Sequence, residues 1–376
     1  MTKKTIYILG DICPRWGNSN EFDSGNENNV FGDIIDLLSD ANLVIANLEA
    51  PATSSNTKLK KNSINLRTQV SDLELLKNAG IDALSLANNH ILDYGVKGLE
   101  DTFTACEKYN LFYYGAGDIF QAAKPFYIQL ENRKIGVLAF AEHEFNAAAD
   151  YGKGANLWDD LSSIATIKKA KENCDYLIVQ YHGGIEDYIY PSPYLQKKCR
   201  FMCDAGADFV TCQHSHCIGT KETYNDSEIL YGQGNTIFGF EKNNPSWNRG
   251  LIVKITIEDI INITYIPITS SPQGEHLLEP SEAEEVLKHF AKNSQNVSND
   301  KFIIQKWNEF CTSKKNQYFP MLFSWNRLFN KLNRILSGKL IDFLTTKKAR
   351  MNSMNLIRCD AHKEVLKTIL ENNFYS

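Results

Sequence analysis

Ala83-Leu84-Ser85-Leu86-Ala87-Asn88-Asn89-His90 begins with five small or apolar residues and ends in two amides and an imidazole. A short apolar run bounded by polar residues reads as a buried strand. Val70–Ala79 before it and Gly98–Tyr109 after it have helical spacing. Working outward, the same pattern recurs. Thr5–Leu9 runs into Gly10-Asp11, and Leu43–Ala46 runs into Asn47-Leu48-Glu49. Ile135–Phe140, Tyr176–Gln180 and Phe209–Thr211 supply further strands, and Phe31–Ser39 a further helix. Strands alternating with helices predict an α/β layered architecture. Open α/β sheets bind ligands beyond the carboxyl ends of their strands, so the polar clusters there are the residues to weigh.

Leu251–Ile257 and Ile261–Ile268 alternate as a hairpin that closes the domain. Ser270-Ser271-Pro272-Gln273-Gly274 is a turn-rich boundary. It predicts one domain over 1–278 and a basic, mainly helical C-terminal extension over 279–376. Within the extension, Pro280–Ala291 reads as a helix with Ser281 as N-cap and Glu284 completing a capping box. Lys292–Asp300 reads as a linker. Met321–Ser337 reads as an amphipathic helix. Leu322, Trp325, Leu328, Phe329, Leu332, Ile335 and Leu336 fall on one face, and Arg327, Lys331 and Arg334 on the other. Packing on the body and docking on a membrane surface or a protein are both open readings of 321–337.

The 376 residues are 43% hydrophobic and 23% charged, a globular composition that excludes a fibrous or wholly disordered chain. No apolar run reaches the length of a spanning helix, and Ile6–Leu9 is too short for a secretory signal. Nine cysteines without a Cys-x-x-Cys pair argue against a disulfide framework and for a reducing compartment. Cytoplasmic residence, with peripheral association at the inner membrane surface, is the resulting expectation. The net charge of −5 is unevenly spread: residues 301–376 carry 14 basic side chains against 5 acidic ones. Such a basic tail suits an anionic partner. No nucleic-acid motif or basic stripe marks the body, so no nucleic acid is expected.

Four of the eight histidines stand at expected strand ends: His90, His182, His214 and His216. His214 and His216 are spaced i, i+2, which in an extended segment puts both imidazoles on one side. Asp11, Glu49 and Asn89 add oxygen donors. A mixed oxygen and nitrogen set suits one or two divalent ions, Mn, Fe or Zn. Taken singly, each position is better read as a cap of the following helix, since Asp and Asn are common N-caps; the ordered set is not. His276, His289 and His362 sit in polar contexts that read as surface, and Glu142-His143-Glu144 is open.

The ordered series resembles the CapA-type poly-γ-glutamate capsule biosynthesis family, within the calcineurin-like metallophosphoesterase superfamily. The matching segments are Gly10-Asp11, Asn47-Leu48-Glu49-Ala50-Pro51, Ala87-Asn88-Asn89-His90-Ile91-Leu92-Asp93-Tyr94-Gly95, Tyr113-Tyr114-Gly115-Ala116-Gly117, His182-Gly183-Gly184-Ile185-Glu186, His214-Ser215-His216 and Tyr231-Gly232-Gln233-Gly234-Asn235. The resemblance covers roughly residues 5–270 and implies a four-layer αββα sandwich with a metal site at the edge of its two sheets. It implies metal ligation by Asp11, Glu49, Asn89, His182, His214 and His216, and catalysis by His90 with Asp11. Cys13, Asn88, Asp93, Glu186 and Asn235 are candidate pocket residues. A hydrolase acting on a phosphoester, peptide or polyglutamate-type substrate, in surface-polymer synthesis, is the implied activity. One departure stands out: the superfamily's Asp-x-His reads Asp11-Ile12-Cys13 here. A metal-free peptide epimerase and a non-catalytic assembly protein on the same scaffold are therefore alternative readings.

Overall fold

The computed structural model describes residues 3–374, apart from Asn62, 323–326 and Ser337. The chain divides into two compact units, Met1–Ile304 and Gln305–Ser376.

The first unit is built on two sheets. One orders its strands Gly274–Leu277, Ile261–Ser271, Arg249–Ile257, Lys4–Ile12, Leu43–Leu48, Ala83–Ser85 and Phe112–Tyr114, and Asn235–Ile237 pairs beside the end of Lys4–Ile12. The other runs Lys221–Tyr224, Ser227–Leu230, Phe209–Gln213, Tyr176–His182, Arg133–Ala141 and Phe126–Leu130. Each sheet contains four consecutive parallel strands, from Lys4–Ile12 to Phe112–Tyr114 in the first. In the second they run from Arg133–Ala141 to Ser227–Leu230.

Strand periodicity explains the layering. Alternate side chains point to opposite faces, so a strand apolar at every position needs cover on both sides. Val137 and Ala139 join the large core that also holds Ile6, Ile8, Leu73, Leu76, Leu99 and Cys106. Leu138 and Phe140 join a second core with Ile167, Cys199 and Met202 on the helices Ser163–Lys171 and Pro193–Asp204. The result is helix, sheet, sheet, helix. Each fully buried Leu, Ile or Phe side chain contributes about 1.5–3 kcal/mol.

Buried glutamine ties the sheets together. The Gln233 amide donates to Ile8 O at 2.7 Å and Leu251 O at 3.0 Å in one sheet. Its Oε1 accepts from Thr211 Oγ1 at 3.1 Å in the other.

Several local expectations are corrected. The single helix expected over Phe31–Ser39 is two short helices, Glu27–Phe31 and Ile34–Leu38, broken at Gly32. Gly32 has φ +51°, and a Cβ there would stand 2.3 Å from Glu275 O. The turn at 270–274 is not a domain boundary; it leads into the edge strand Gly274–Leu277. The compact unit continues past 278 to Ile304, because Phe290, Val297 and Ile303 are buried in its cores. The capping box does not form. Helix Pro280–Ser294 has Glu279 as N-cap, without a side-chain cap, and Pro280 at its start. Proline suits that position because its missing N–H has no partner there anyway.

The same edge strand carries a pH-sensitive group. Glu275 is buried and accepts from Ser270 Oγ. Burial pushes its carboxyl up to about 8. A raised acid favours folding while it is protonated. Its contribution is complete below about 4.5 and is lost as pH rises through about 8, on the order of 5 kcal/mol at most. Glu275→Gln keeps an acceptor for Ser270 and removes the titration. Its Tm gain over the parent is expected to be much larger at pH 9 than at pH 5; an equal gain at both would contradict this.

The second unit is helical. Asp300–Leu322 leads into it, followed by Arg327–Ile335, Lys339–Leu344, Lys347–Arg358 and Asp360–Phe374. Of the helix expected over 321–337, Trp325 and its neighbours, and Ser337, lie outside the described residues. Among the described residues, no helix is long and apolar enough to cross a membrane.

Candidate metal centre

The carboxyl ends of the two parallel strand sets meet. Asp11 lies at the end of its strand, beside Asn47 on one side and Asn235 on the other. Gly10 permits this crowding: a Cβ there would stand 2.2 Å from Gly234 O. Glu49 follows Leu43–Leu48 directly, and His182 closes Tyr176–His182.

His214 and His216 reach the centre by a route the i, i+2 spacing did not indicate. The strand stops at Gln213, and both histidines adopt left-handed backbone, with φ of +82° and +50°. Non-glycine residues rarely do so, and such conformations persist only where surrounding contacts hold them. Here the His214 backbone N–H donates to Asp11 Oδ2 at 2.9 Å across the two sheets. The rings of His214 and His216 are 5.9 Å apart, and those of His182 and His214 are 4.9 Å apart.

Glu49 is shared between two ligand groups. One is Asp11, Glu49 and His182; the other is Glu49, His214 and His216; within each, the ligand atoms lie within 4.8 Å of one another. Glu49 Oε1 is 3.4 Å from His182 Nε2 and 3.8 Å from His216 Nε2. Asp11 is 3.7 Å from both His182 Nδ1 and His216 Nδ1. Asn89 Oδ1 lies 3.0 Å from His182 Nε2.

These residues fit a divalent metal. Glu49 is fully buried, and neither of its oxygens accepts a hydrogen bond. His214 Nδ1 is also buried without a partner. A buried carboxylate that accepts no hydrogen bond is costly, and a cation between the groups would offset that cost. Oxygen and imidazole donors suit Mn, Fe or Zn.

The electrostatics agree. Burial would raise the Asp11 carboxyl, but His182, His216 and the His214 amide outweigh it and hold it at about 2. Burial would lower the His182 imidazole, but Glu49 and Asp11 outweigh it and raise it to about 10. Those two carboxylates thus create a strong demand for positive charge. His214 is pushed well below its ordinary value by burial and by the neighbouring His182 and His216. It is therefore neutral, as a ligand must be.

An outer layer fixes the orientation of the imidazoles. Asn235 Nδ2 donates to Trp247 O at 3.0 Å, so its Oδ1 faces His216 Nδ1 at 2.8 Å. His216 then carries its proton on Nδ1 and leaves Nε2 free for a ligand role. His90 is held similarly: its Nδ1 lies 2.6 Å from Asp93 Oδ2, and its Nε2 lies 3.9 Å from Glu49 Oε1. Asp93 also pairs with Lys61 and accepts from Leu66 N. Asn88 braces the loop by donating to Leu48 O at 2.8 Å.

Two expected pocket residues join no ligand group among the described residues. Cys13 is buried with Ala50, Leu66 and Phe238 in a small apolar core. Burial, together with the charges of Glu49, Asp93 and Asp11, pushes its thiol well up, and it enters no ligand group among the described residues. Glu186 is exposed and belongs to no ligand group among the described residues.

Three residues were missed from the sequence. Glu142 and Glu144 form a third group with His214, and Glu142 Oε1 is 3.6 Å from His214 Nε2. Their signal was available: an acidic pair at i, i+2 directly follows the strand Arg133–Ala141. Lys61 lies in an irregular segment with no local signal.

Residues 5–240 match the family described as bacterial capsule synthesis protein PGA_cap. A capsule biosynthesis protein CapA of Bacillus anthracis is 30% identical over 258 residues, 66% of this chain and 61% of that one. A PGA biosynthesis protein CapA of Bacillus subtilis is 33% identical over 211 residues, 55% of this chain and 54% of that one. The chain thus spans rather more than half the length of these relatives. A solved structure described as a novel phosphatase of Mycoplasma pneumoniae aligns with a TM-score of 0.46 and 14% identity, covering 72% of this chain and 94% of that one. The matched segment holds Asp11, Glu49, Asn89, His182, His214 and His216, and on this evidence the chain belongs to the bacterial capsule synthesis protein PGA_cap family.

Proposed function

We propose that this chain is a metal-dependent phosphoester hydrolase that acts in the synthesis of a capsule-type or poly-γ-glutamate surface polymer. The observation that carries the reading is Glu49, fully buried, accepting no hydrogen bond and common to two ligand groups. The family and the names of the Bacillus relatives support the polymer context.

Asp11, Glu49, Asn89, His182, His214 and His216 would hold one or two ions. When bound, divalent metal supplies Lewis-acid charge to the reacting centre. The chain's own residues do the rest. His90, with its Nδ1 engaged by Asp93, presents Nε2 toward the centre, where it donates a proton to the leaving-group oxygen. Lys61 neutralises the second Asp93 oxygen and so keeps Asp93 from turning away from His90. Asn235 holds His216. Cys13 as a buried thiol leaves the Asp11 side one donor short of the superfamily pattern, which favours a second reading, a non-catalytic assembly role.

Metal content by plasma mass spectrometry, on protein purified without a histidine tag or chelator, tests both together with hydrolysis of aryl phosphate mono- and diesters. Bound metal with turnover supports the hydrolase. Bound metal without turnover on any ester favours the assembly role. Absence of metal, even after soaking in Mn, Fe or Zn, would remove the metal-dependent reading and leave the metal-free epimerase to be tested by deuterium wash-in.

A further inference from the structure

We infer that helix Arg327–Ile335 docks this protein on an anionic lipid surface. The inference does not depend on the metal centre. Leu328, Leu332, Ile335 and Leu336 are 64%, 40%, 68% and 48% exposed. At 100° per residue they share one face of the helix and its last turn. Met321 and Leu322, just before, are also exposed. An apolar helix face left in water marks an interaction site.

Charge selects the occupant. Between Glu309 and Asp342 there is no acidic residue, while Lys314, Lys315, Arg327, Lys331, Arg334 and Lys339 are all basic. Lys331, Arg334 and Lys339 are exposed. A helix with one apolar and one basic face matches a headgroup region, where leucines enter the acyl boundary and lysine and arginine are drawn to anionic phosphate. A second copy of the same segment would bring like charges together. A nucleic acid would leave the apolar face in water. The helix has nine residues, about 14 Å at 1.5 Å per residue, against about 30 Å of hydrocarbon. It therefore lies on the membrane and does not span it.

The test is co-sedimentation of the full chain with phosphatidylcholine vesicles, with and without phosphatidylglycerol, at low and high salt. Anionic vesicles are expected to bind at least about tenfold better than neutral ones, and salt is expected to abolish the difference. Two variants separate the contributions: Leu332→Glu with Ile335→Glu, and Lys331→Gln with Arg334→Gln and Lys339→Gln. Each is expected to lower partitioning by about tenfold or more, with circular dichroism unchanged. The charge variant alters only exposed side chains, so its result stands even if the leucine variant misfolds. Equal binding to neutral vesicles, no binding to either, or charge-variant binding equal to the parent would overturn the proposal. A dimer lost in the leucine variant, without vesicle binding, would assign the face to a second copy and overturn it as well.

Discussion

Glu49→Ala is expected to abolish metal binding. Changes in the outer shell alone cost about 10–100-fold in metal affinity, and Glu49 is shared by the group with Asp11 and His182 and the group with His214 and His216. Its loss should cost more than about 100-fold and release every ion, not one of two. The readout need not be activity. Metal that binds only the folded state raises Tm, so the parent should gain Tm on addition of Mn or Zn and the variant should not. Glu49→Asp keeps the charge but shortens the reach, and should retain weakened binding. The metal-free variant should fold, because the substitution removes a buried carboxylate that accepts no hydrogen bond. An undiminished Tm gain in Glu49→Ala would show that the bound metal lies elsewhere.

His90→Ala is expected to separate binding from chemistry. His90 Nε2 faces Glu49 from 3.9 Å, yet His90 belongs to no ligand group among the described residues. Its removal should leave metal content and the metal-dependent Tm gain intact. Turnover should fall by about 100–10,000-fold, the range that general acid catalysis supplies. Asp93→Asn should give a partial loss, because an amide can hold the wrong tautomer of His90. Lys61→Met should act through the same pair, lowering kcat more than raising KM. A His90→Ala protein that loses its metal would make His90 a ligand and leave the proton donor unassigned.

Much of the fold was legible because it depends on local pattern. Apolar runs such as Leu43–Ala46 are strands in any context that buries both faces, and the strand-end rule drew attention to Asp11, Glu49, Asn89, His182 and His214. Where the reading failed, a contact distant in sequence decided. The helix over Phe31–Ser39 has good spacing, but the backbone of Glu275 meets Gly32 and breaks it. The box at Ser281 and Glu284 is sound local chemistry, but the helix begins two residues earlier, with Glu279 as N-cap and Pro280 first. Glu142 and Glu144 obey the same strand-end rule, directly after Arg133–Ala141, but an acidic pair there is locally no different from solvated loop carboxylates.

The candidate site divides along the same line. Residue types and chain order already specify an oxygen and imidazole set at the ends of parallel strands, since side-chain chemistry and strand periodicity are properties of short segments. Which of those side chains converge was decided by sheet packing. The His214 amide meets Asp11 across 203 positions of sequence. Two left-handed residues aim the His214-Ser215-His216 segment. Cys13, two residues from Asp11, is packed away with Phe238, and Lys61 is brought to Asp93 from an irregular segment. No local preference favours these outcomes. Left-handed histidines and a buried lysine are each unfavourable alone, and they persist because the packed sheets supply hydrogen bonds and charge partners that a short segment cannot.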